Sequence, residues 1–236
     1  MTISETNSPF IALSSISKAY RTRAISVPIF DNLDLSIEKG EFVAVMGPSG
    51  SGKSTLLNLL AGLDGPDSGD IKIAGQRLDH MGEAARSAWR AHHLGIVFQF
   101  YNLLPMLTAE ENVELPLLLK PFPASIRRER VAKTLDLVGL CGFGRQNPSR
   151  LSGGQQQRVG IARAIVSDPT LLLCDEPTGD LDRASADEIL TMLGYLNREL
   201  GKTIVMVTHD PEAAEAADRI LHLDKGAFVE RARVMS

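Results

Sequence analysis

Cysteine is nearly missing from this chain: Cys141 and Cys174 are the only two in 236 residues. Two cysteines do not make a disulfide framework, so the sequence reads as a protein of a reducing, cytosolic compartment. An excess of one charge is missing too. The 25 basic and 29 acidic residues leave a net charge of -4, which argues against a wide nucleic-acid-binding face. No apolar run approaches the roughly 18 residues needed to cross a bilayer. Met1 to Phe10 lacks a basic segment followed by an apolar one, so no signal peptide is expected. Any membrane role is therefore expected to come through a partner. There is no internal repeat, low-complexity segment or long linker. What remains, 44% hydrophobic and 23% charged residues, suits one soluble α/β domain, alone or with a small subdomain.

Against that background one stretch stands out. Gly47-Pro48-Ser49-Gly50-Ser51-Gly52-Lys53-Ser54 fits the phosphate-binding pattern G-x-x-x-x-G-K-[ST]. Glu41 to Met46 before it reads as a buried strand. Lys53 to Gly62 after it reads as a helix stopped by glycine. Such a strand, loop and helix start make a phosphate cradle: glycines leave N–H groups uncovered, and the helix N-terminus adds partial positive charge. Lys53 can reach the β- and γ-phosphates, and the Ser54 hydroxyl can ligate Mg²⁺.

Along the chain, Phe10 to Tyr20 and Leu33 to Ile37 alternate as strands and suggest an antiparallel sheet beside the nucleotide. Tyr20 is either a packing aromatic or a platform for adenine. Ile71 to Gly75 is a further strand, Glu83 to His93 a helix with Trp89, and Leu94 to Phe98 a strand ending at Gln99. Phe100 to Pro116 is irregular yet apolar: either a loop tucked on the core, which the residues alone favour, or a docking surface. Ser125 to Leu140 reads as a helix with a solvated basic face. Ser152 is placed as the N-cap of a helix running to Val166, although Gly153 and Gly154 are costly in its first turn. Thr170 to Cys174 is continuously apolar, as in a parallel sheet covered on both faces. It delivers Asp175 and Glu176 at its C-terminal end, where ligands sit in open α/β sheets. A helix from about Ala184 to Leu200, a strand Thr203 to Val207 ending near His209, and a closing hairpin about Asp224-Lys225-Gly226 complete the chain.

These strand ends make a nucleoside-triphosphatase site. Asp175 is suited to hold Mg²⁺ through its water shell, and Glu176 to polarise an attacking water. Gln99 can ligate the metal or the water, and His209 can hydrogen-bond the γ-phosphate. His80, His92, His93 and His222 lack metal-ligand spacing and read as surface or core.

Taken together, the phosphate loop, Gln99, Leu151–Gln155, Leu171–Glu176, Gly179–Asp182 and His209 resemble the ATP-binding-cassette (ABC) ATPases in motif, order and spacing. The likeness spans essentially the whole chain. It implies an α/β P-loop NTPase fold with a mostly parallel sheet, an N-terminal antiparallel β subdomain, and a helical subdomain at roughly 102–168 within a single domain of 1–236. It implies ATP and Mg²⁺ as cofactors, with Gly47, Ser49, Gly50, Ser51, Gly52, Lys53, Ser54 and Thr55 on the phosphates. A second copy of the chain is the implied partner, in a head-to-tail dimer with ATP sandwiched between copies. Ser152, Gly153, Gly154 and Gln155 would then serve the other copy's nucleotide, Asp182 would help link the two sites, and Tyr20 would stack on adenine. In this family the segment after the glutamine meets a membrane permease, which turns Phe100–Pro116 into a docking groove. The implied location is peripheral, on the cytoplasmic face of the inner membrane.

Phe98–Pro105, Leu107–Val113, Leu151–Val159 and Glu176–Gly179 are most similar to the lipoprotein-release and macrolide-export branch. The expected role is ATP-driven export or extraction of a lipid, lipoprotein or hydrophobic compound. The alternative is a mechanically coupled permease complex that signals across the membrane. Cys174 departs from the aliphatic residue or alanine usual there, with no expected loss of function. A soluble ABC ATPase on DNA or ribosomes would carry a coiled-coil insertion or a second cassette, and a small-molecule kinase would not need Leu151–Gln155. Cargo is chosen mainly by the permease, which this chain does not contain.

Overall fold

The computed structural model describes residues 8–21 and 26–229. The expectation about a leader falls partly on residues 1–7, outside the described residues. In chain order the strands and helices are β1 (Ile11–Arg21), β2 (Ser26–Ile37), β3 (Phe42–Met46), α1 (Lys53–Leu60), β4 (Ser68–Ile73), β5 (Gln76–Arg77), α2 (Glu83–His93) and β6 (Leu94–Val97). Next come α3 (Ala109–Glu114), α4 (Ala124–Leu137), α5 (Gly153–Ile165), β7 (Leu171–Asp175), α6 (Arg183–Arg198), β8 (Thr203–Thr208), α7 (Pro211–Ala214), β9 (Arg219–Asp224) and β10 (Ala227–Val229).

Two sheets form. One has the order β2-β1-β4-β5 and is antiparallel throughout. The other has the order β10-β9-β3-β8-β7-β6, parallel except for the β9–β10 hairpin. The continuous apolar runs of β3, β7 and β8 are explained by what covers them. Phe42 and Ala44, Leu172 and Cys174, and Ile204 and Met206 join a core with α3 to α6. Their sequence neighbours Val43 and Val45, Leu171 and Leu173, and Val205 and Val207 join another with α1 and the antiparallel sheet. The parallel sheet is thus a wall between two cores, and a strand buried on both faces needs apolar residues at every position.

The stretch Phe100–Pro116 contains a helix that its composition hid. Thr108 caps α3, its hydroxyl accepting from the Glu111 N–H while the Glu111 carboxylate accepts from the Thr108 N–H, a reciprocal capping box. Asn112, fully buried, folds residues 104–108 back onto this helix: it accepts from the Leu104 N–H and donates to the Leu104, Leu107 and Thr108 carbonyls. Between β6 and β7 the chain is helical in all its regular segments, and no helix among the described residues is long and apolar enough to cross a membrane.

Candidate active site

The parallel strands end level with one another. Met46 lies beside Thr208, Asp175 beside Val207, and Val97 beside Cys174. The residues just past the strand ends therefore meet at one edge of the sheet: the phosphate loop after β3, Glu176 after β7, His209 after β8 and Gln99 after β6.

The loop is shaped by close approach. A side chain at Gly47 would collide with the Leu223 carbonyl of β9, and one at Gly52 would meet the Phe30 ring at 2.8 Å. Gly52 also holds φ 108 as the residue before α1, a left-handed conformation that side chains resist. Among the described residues no side chain caps α1, and no acid lies in its first turn. Its leading N–H groups thus keep their anion-binding capacity. The Lys53 ammonium donates to the Gly47 and Pro48 carbonyls at 2.6 and 2.9 Å. Ser51 Oγ is buried without a hydrogen-bond partner among the described residues. Ser49, Gly50 and Ser54 are exposed, and Thr55 is buried. An orphaned hydroxyl, an uncapped helix start and a lysine fit a phosphate group.

At the end of β7, burial and the neighbouring Glu176 charge push the Asp175 carboxyl up, while Lys53 draws it down. Glu176 is next in the chain, with φ 45, and is tied by its N–H to the Val207 carbonyl at 3.0 Å. Its carboxylate meets His209 Nδ1 at 2.5 Å, with the histidine side chain 67% exposed and the glutamate 18%. Gln99 packs beside Gly179, where an added Cβ would meet Nε2 at 3.0 Å. The oxygen donors of Ser54, Asp175 and Gln99 are the hard set that suits Mg²⁺. Burial, with Asp175 alongside, lifts the Cys174 thiol to about 12, so it behaves as an inert apolar group.

Ser152 caps α5 through a second capping box with Gln155, at 3.0 and 3.3 Å. Gly153 and Gly154 have a cause inside the chain: a Cβ at Gly153 would meet the Tyr101 hydroxyl at 3.0 Å, and one at Gly154 the Ser185 hydroxyl at 2.9 Å. Neither neighbour belongs to the phosphate loop. Ser185 is itself held by Asp182, the N-cap of α6, at 3.0 and 2.7 Å. Tyr20 is exposed near the end of β1, its hydroxyl donating to Asp64 at 3.0 Å. The buried Lys18 pairs with the same carboxylate at 2.7 Å and stands 5.2 Å from the Tyr20 ring. Two residues before Tyr20, Lys18 pairs across the sheet with Phe30, the residue that crowds Gly52.

Residues 30–179 match the family described as ABC transporter. The chain belongs to that family. It is an ABC ATPase, and its chemistry is ATP hydrolysis coupled to transport. It is 44% identical over 226 residues to the lipoprotein-releasing system ATP-binding protein LolD of Chromohalobacter salexigens, covering 96% of this chain and 95% of that protein. It is also 44% identical over 227 residues to the macrolide export ATP-binding/permease protein MacB 1/2 of Paracoccus denitrificans, of which it spans only 34%. Among solved structures, the dimeric post-hydrolysis state of the ATP-binding cassette MJ0796 bound to ADP and Pi superposes with a TM-score of 0.87. The two are 39% identical, with 96% of this chain and 99% of that one covered.

Several residues around the candidate site of this ABC ATPase carry no motif. Gln157, fully buried on α5, donates to the Phe98 carbonyl at 3.2 Å and the Pro177 carbonyl at 2.5 Å. It thereby holds the chain just before Gln99 to the chain just after Glu176. Tyr101 and Asn102 both adopt left-handed backbone, at φ 58 and 48. Arg163 of α5 donates to their carbonyls at 2.7 and 2.5 Å. A glutamine in a helix and an arginine after a glycine-rich turn carry no sequence signal of partners some sixty residues away.

Proposed function

We propose that this ABC ATPase works as a head-to-tail pair, each copy binding ATP on its phosphate loop and completing the other's site with Ser152–Gln155. The observation that carries this reading is the convergence of the loop, Asp175, Glu176, His209 and Gln99 at one sheet edge, while the exposed Ser152 cap leads into glycines that approach Tyr101 and Ser185 and not the phosphate loop. The dimeric state of the MJ0796 cassettes supports it. In this assignment the loop backbone, Lys53 and Thr55 hold phosphates, and Tyr20 carries the adenine. Ser54, Gln99 and Asp175 hold Mg²⁺, which when bound neutralises developing phosphate charge. Glu176 takes the proton of the attacking water, His209 steadies the γ-phosphate, and Asp182 links the two sites through Ser185.

The permease docks at Phe100–Pro116, which the residues alone favour as core. The stretch is divided: Leu103 packs on the core, whereas Phe100 and Met106 are 68% and 72% exposed. Its helix α3 lines a groove of about 610 Å³ with α4 and residues 140–145, where Glu110, Glu111 and Glu114 face Arg128 and Arg145. The chain then sits at the cytoplasmic face of the membrane through its partner. The two relatives named above are a releasing system and an exporter, so extraction or export of a lipoprotein, lipid or hydrophobic compound is preferred over signal transmission. The test is isolation of the tagged chain from detergent-solubilised membranes. Co-isolation of a permease in stoichiometric amount is expected; a chain that stays partnerless in the soluble fraction contradicts the reading.

A further inference from the structure

One stripe of α5 carries a set of contacts that hydrolysis alone does not require. Residues 153, 157, 160 and 163 lie at i, i+4, i+7 and i+10 on that helix and share a face. All four meet the turn that comes after β6. Gln157 holds the Phe98 carbonyl. Gly160 faces the Tyr101 carbonyl, which would lie at an ordinary contact distance of 3.7 Å from a Cβ there. Arg163 grips the Tyr101 and Asn102 carbonyls. The Tyr101 side chain then doubles back along the helix to Gly153, where its hydroxyl sets the limit on a Cβ. Burial and the Asp180 charge push that phenol up.

The turn itself is strained. A tyrosine and an asparagine in succession occupy left-handed backbone, which non-glycine residues adopt reluctantly. Such backbone persists only where its surroundings impose it. Here a guanidinium's planar fork spans the two adjacent carbonyls of the turn, a geometry that lysine does not reproduce.

We propose that Arg163 is a positioning residue that holds the Tyr101–Asn102 turn left-handed, and through the Tyr101 ring makes Gln99, the permease-facing segment and the Ser152–Gly154 helix start move as one body. It rests on the reading that Ser152–Gly154 completes a partner's ATP site. Displacement of Phe100–Met106 is then delivered to the residues that close on the other copy's nucleotide, without passing through the sheet.

The test uses the full chain. In hydrogen exchange, Arg163→Ala raises the rate at the amides of 101–104 and also at 153–155, by about tenfold, the size expected for losing a charge-assisted bond. Asn102→Gly placed on Arg163→Ala returns both segments part of the way toward wild type, because glycine relieves one of the turn's two left-handed residues. Tyr101→Phe, which cannot unfold the turn, speeds exchange at 153–155 alone. In a Glu176→Gln background, Arg163→Ala leaves monomer affinity for a fluorescent ATP analogue within about twofold, and raises the ATP concentration needed for dimerisation by about tenfold. Faster exchange at 101–104 with none at 153–155, or no rescue by Asn102→Gly, overturns the linkage. A Glu176→Gln chain that never dimerises with ATP while the exchange pattern holds instead overturns the sandwich and leaves the linkage standing.

Discussion

Glu176 and His209 leave adjacent parallel strands and meet through a 2.5 Å contact between Oε2 and Nδ1. Glu176 holds left-handed backbone, φ 45, where it makes this contact. If Glu176 is the general base, Glu176→Gln lowers the hydrolysis rate by about 10²–10⁴-fold while ATP still binds. His209→Ala lowers it too, and the double variant falls little below the worse single one, since the two act through one contact. Steady-state ATPase rates beside equilibrium ATP binding decide this; near-normal turnover in Glu176→Gln removes that residue from the role.

Ser152 and its two following glycines fail differently. Ser152→Ala removes one cap and is expected to cost about 1 kcal/mol in stability. Its larger effect should be on dimer-dependent hydrolysis, with monomer ATP affinity intact. Gly153→Ala and Gly154→Ala press on Tyr101 and Ser185 inside the same chain. They should lower the unfolding temperature even without nucleotide. Thermal melts separate the two cases: equal melting shifts for all three would place the serine's effect in packing.

Asp175 is held above its ordinary value of 3.8 by burial first and by Glu176 second. A carboxyl with a raised folded pKa keeps its proton more tightly in the native state than in the unfolded chain. Stability therefore falls as pH rises from 3.8 through the raised value, and the penalty is complete above it. Asp175→Asn removes that penalty, so at neutral pH it should raise the melting temperature and abolish Mg²⁺-dependent hydrolysis. The gain should vanish below about pH 4. A variant that melts lower at neutral pH contradicts the assigned cause.

Asp64 shows the opposite balance. Burial raises its carboxyl, yet the Lys18 ammonium, the Gly65 N–H and the Tyr20 hydroxyl outweigh that and hold it below its ordinary value. Its stabilising contribution is present above 3.8 and is lost as pH falls through the lowered value. Tyr20→Ala should raise the KM for ATP about tenfold or more, the size of one lost base–aromatic stack. Asp64→Asn should raise it less, by loosening the ring, and leave kcat unchanged. An unaltered KM in both variants removes Tyr20 from the adenine.

The strands and long helices were legible because they are local statements. The apolar run of β7 and the turn chemistry before α5 name their own structures, and Ser152 occupies the cap position its side chain suggested. The candidate site was legible where motif spacing carried it. The six-residue α3 was hidden because Pro105 and a polar Asn112 look like loop, and only tertiary burial turns Asn112 into a bracket. Gly153 and Gly154 announced close approach, but not to what: Tyr101 lies 52 positions upstream of Gly153, and no local pattern pairs them. Gln157 and Arg163 likewise acquire meaning only from carbonyls brought to them by the fold.

The wall of parallel strands has a consequence for where the phosphate loop can sit. Val43 and Ala44 are neighbours in β3, yet they fill different cores. A slip of β3 by one residue would exchange the contents of both cores at once. The strand is therefore keyed from two sides, and Gly47, which begins where β3 stops, inherits an axial position that neither core could shift without the consent of the other.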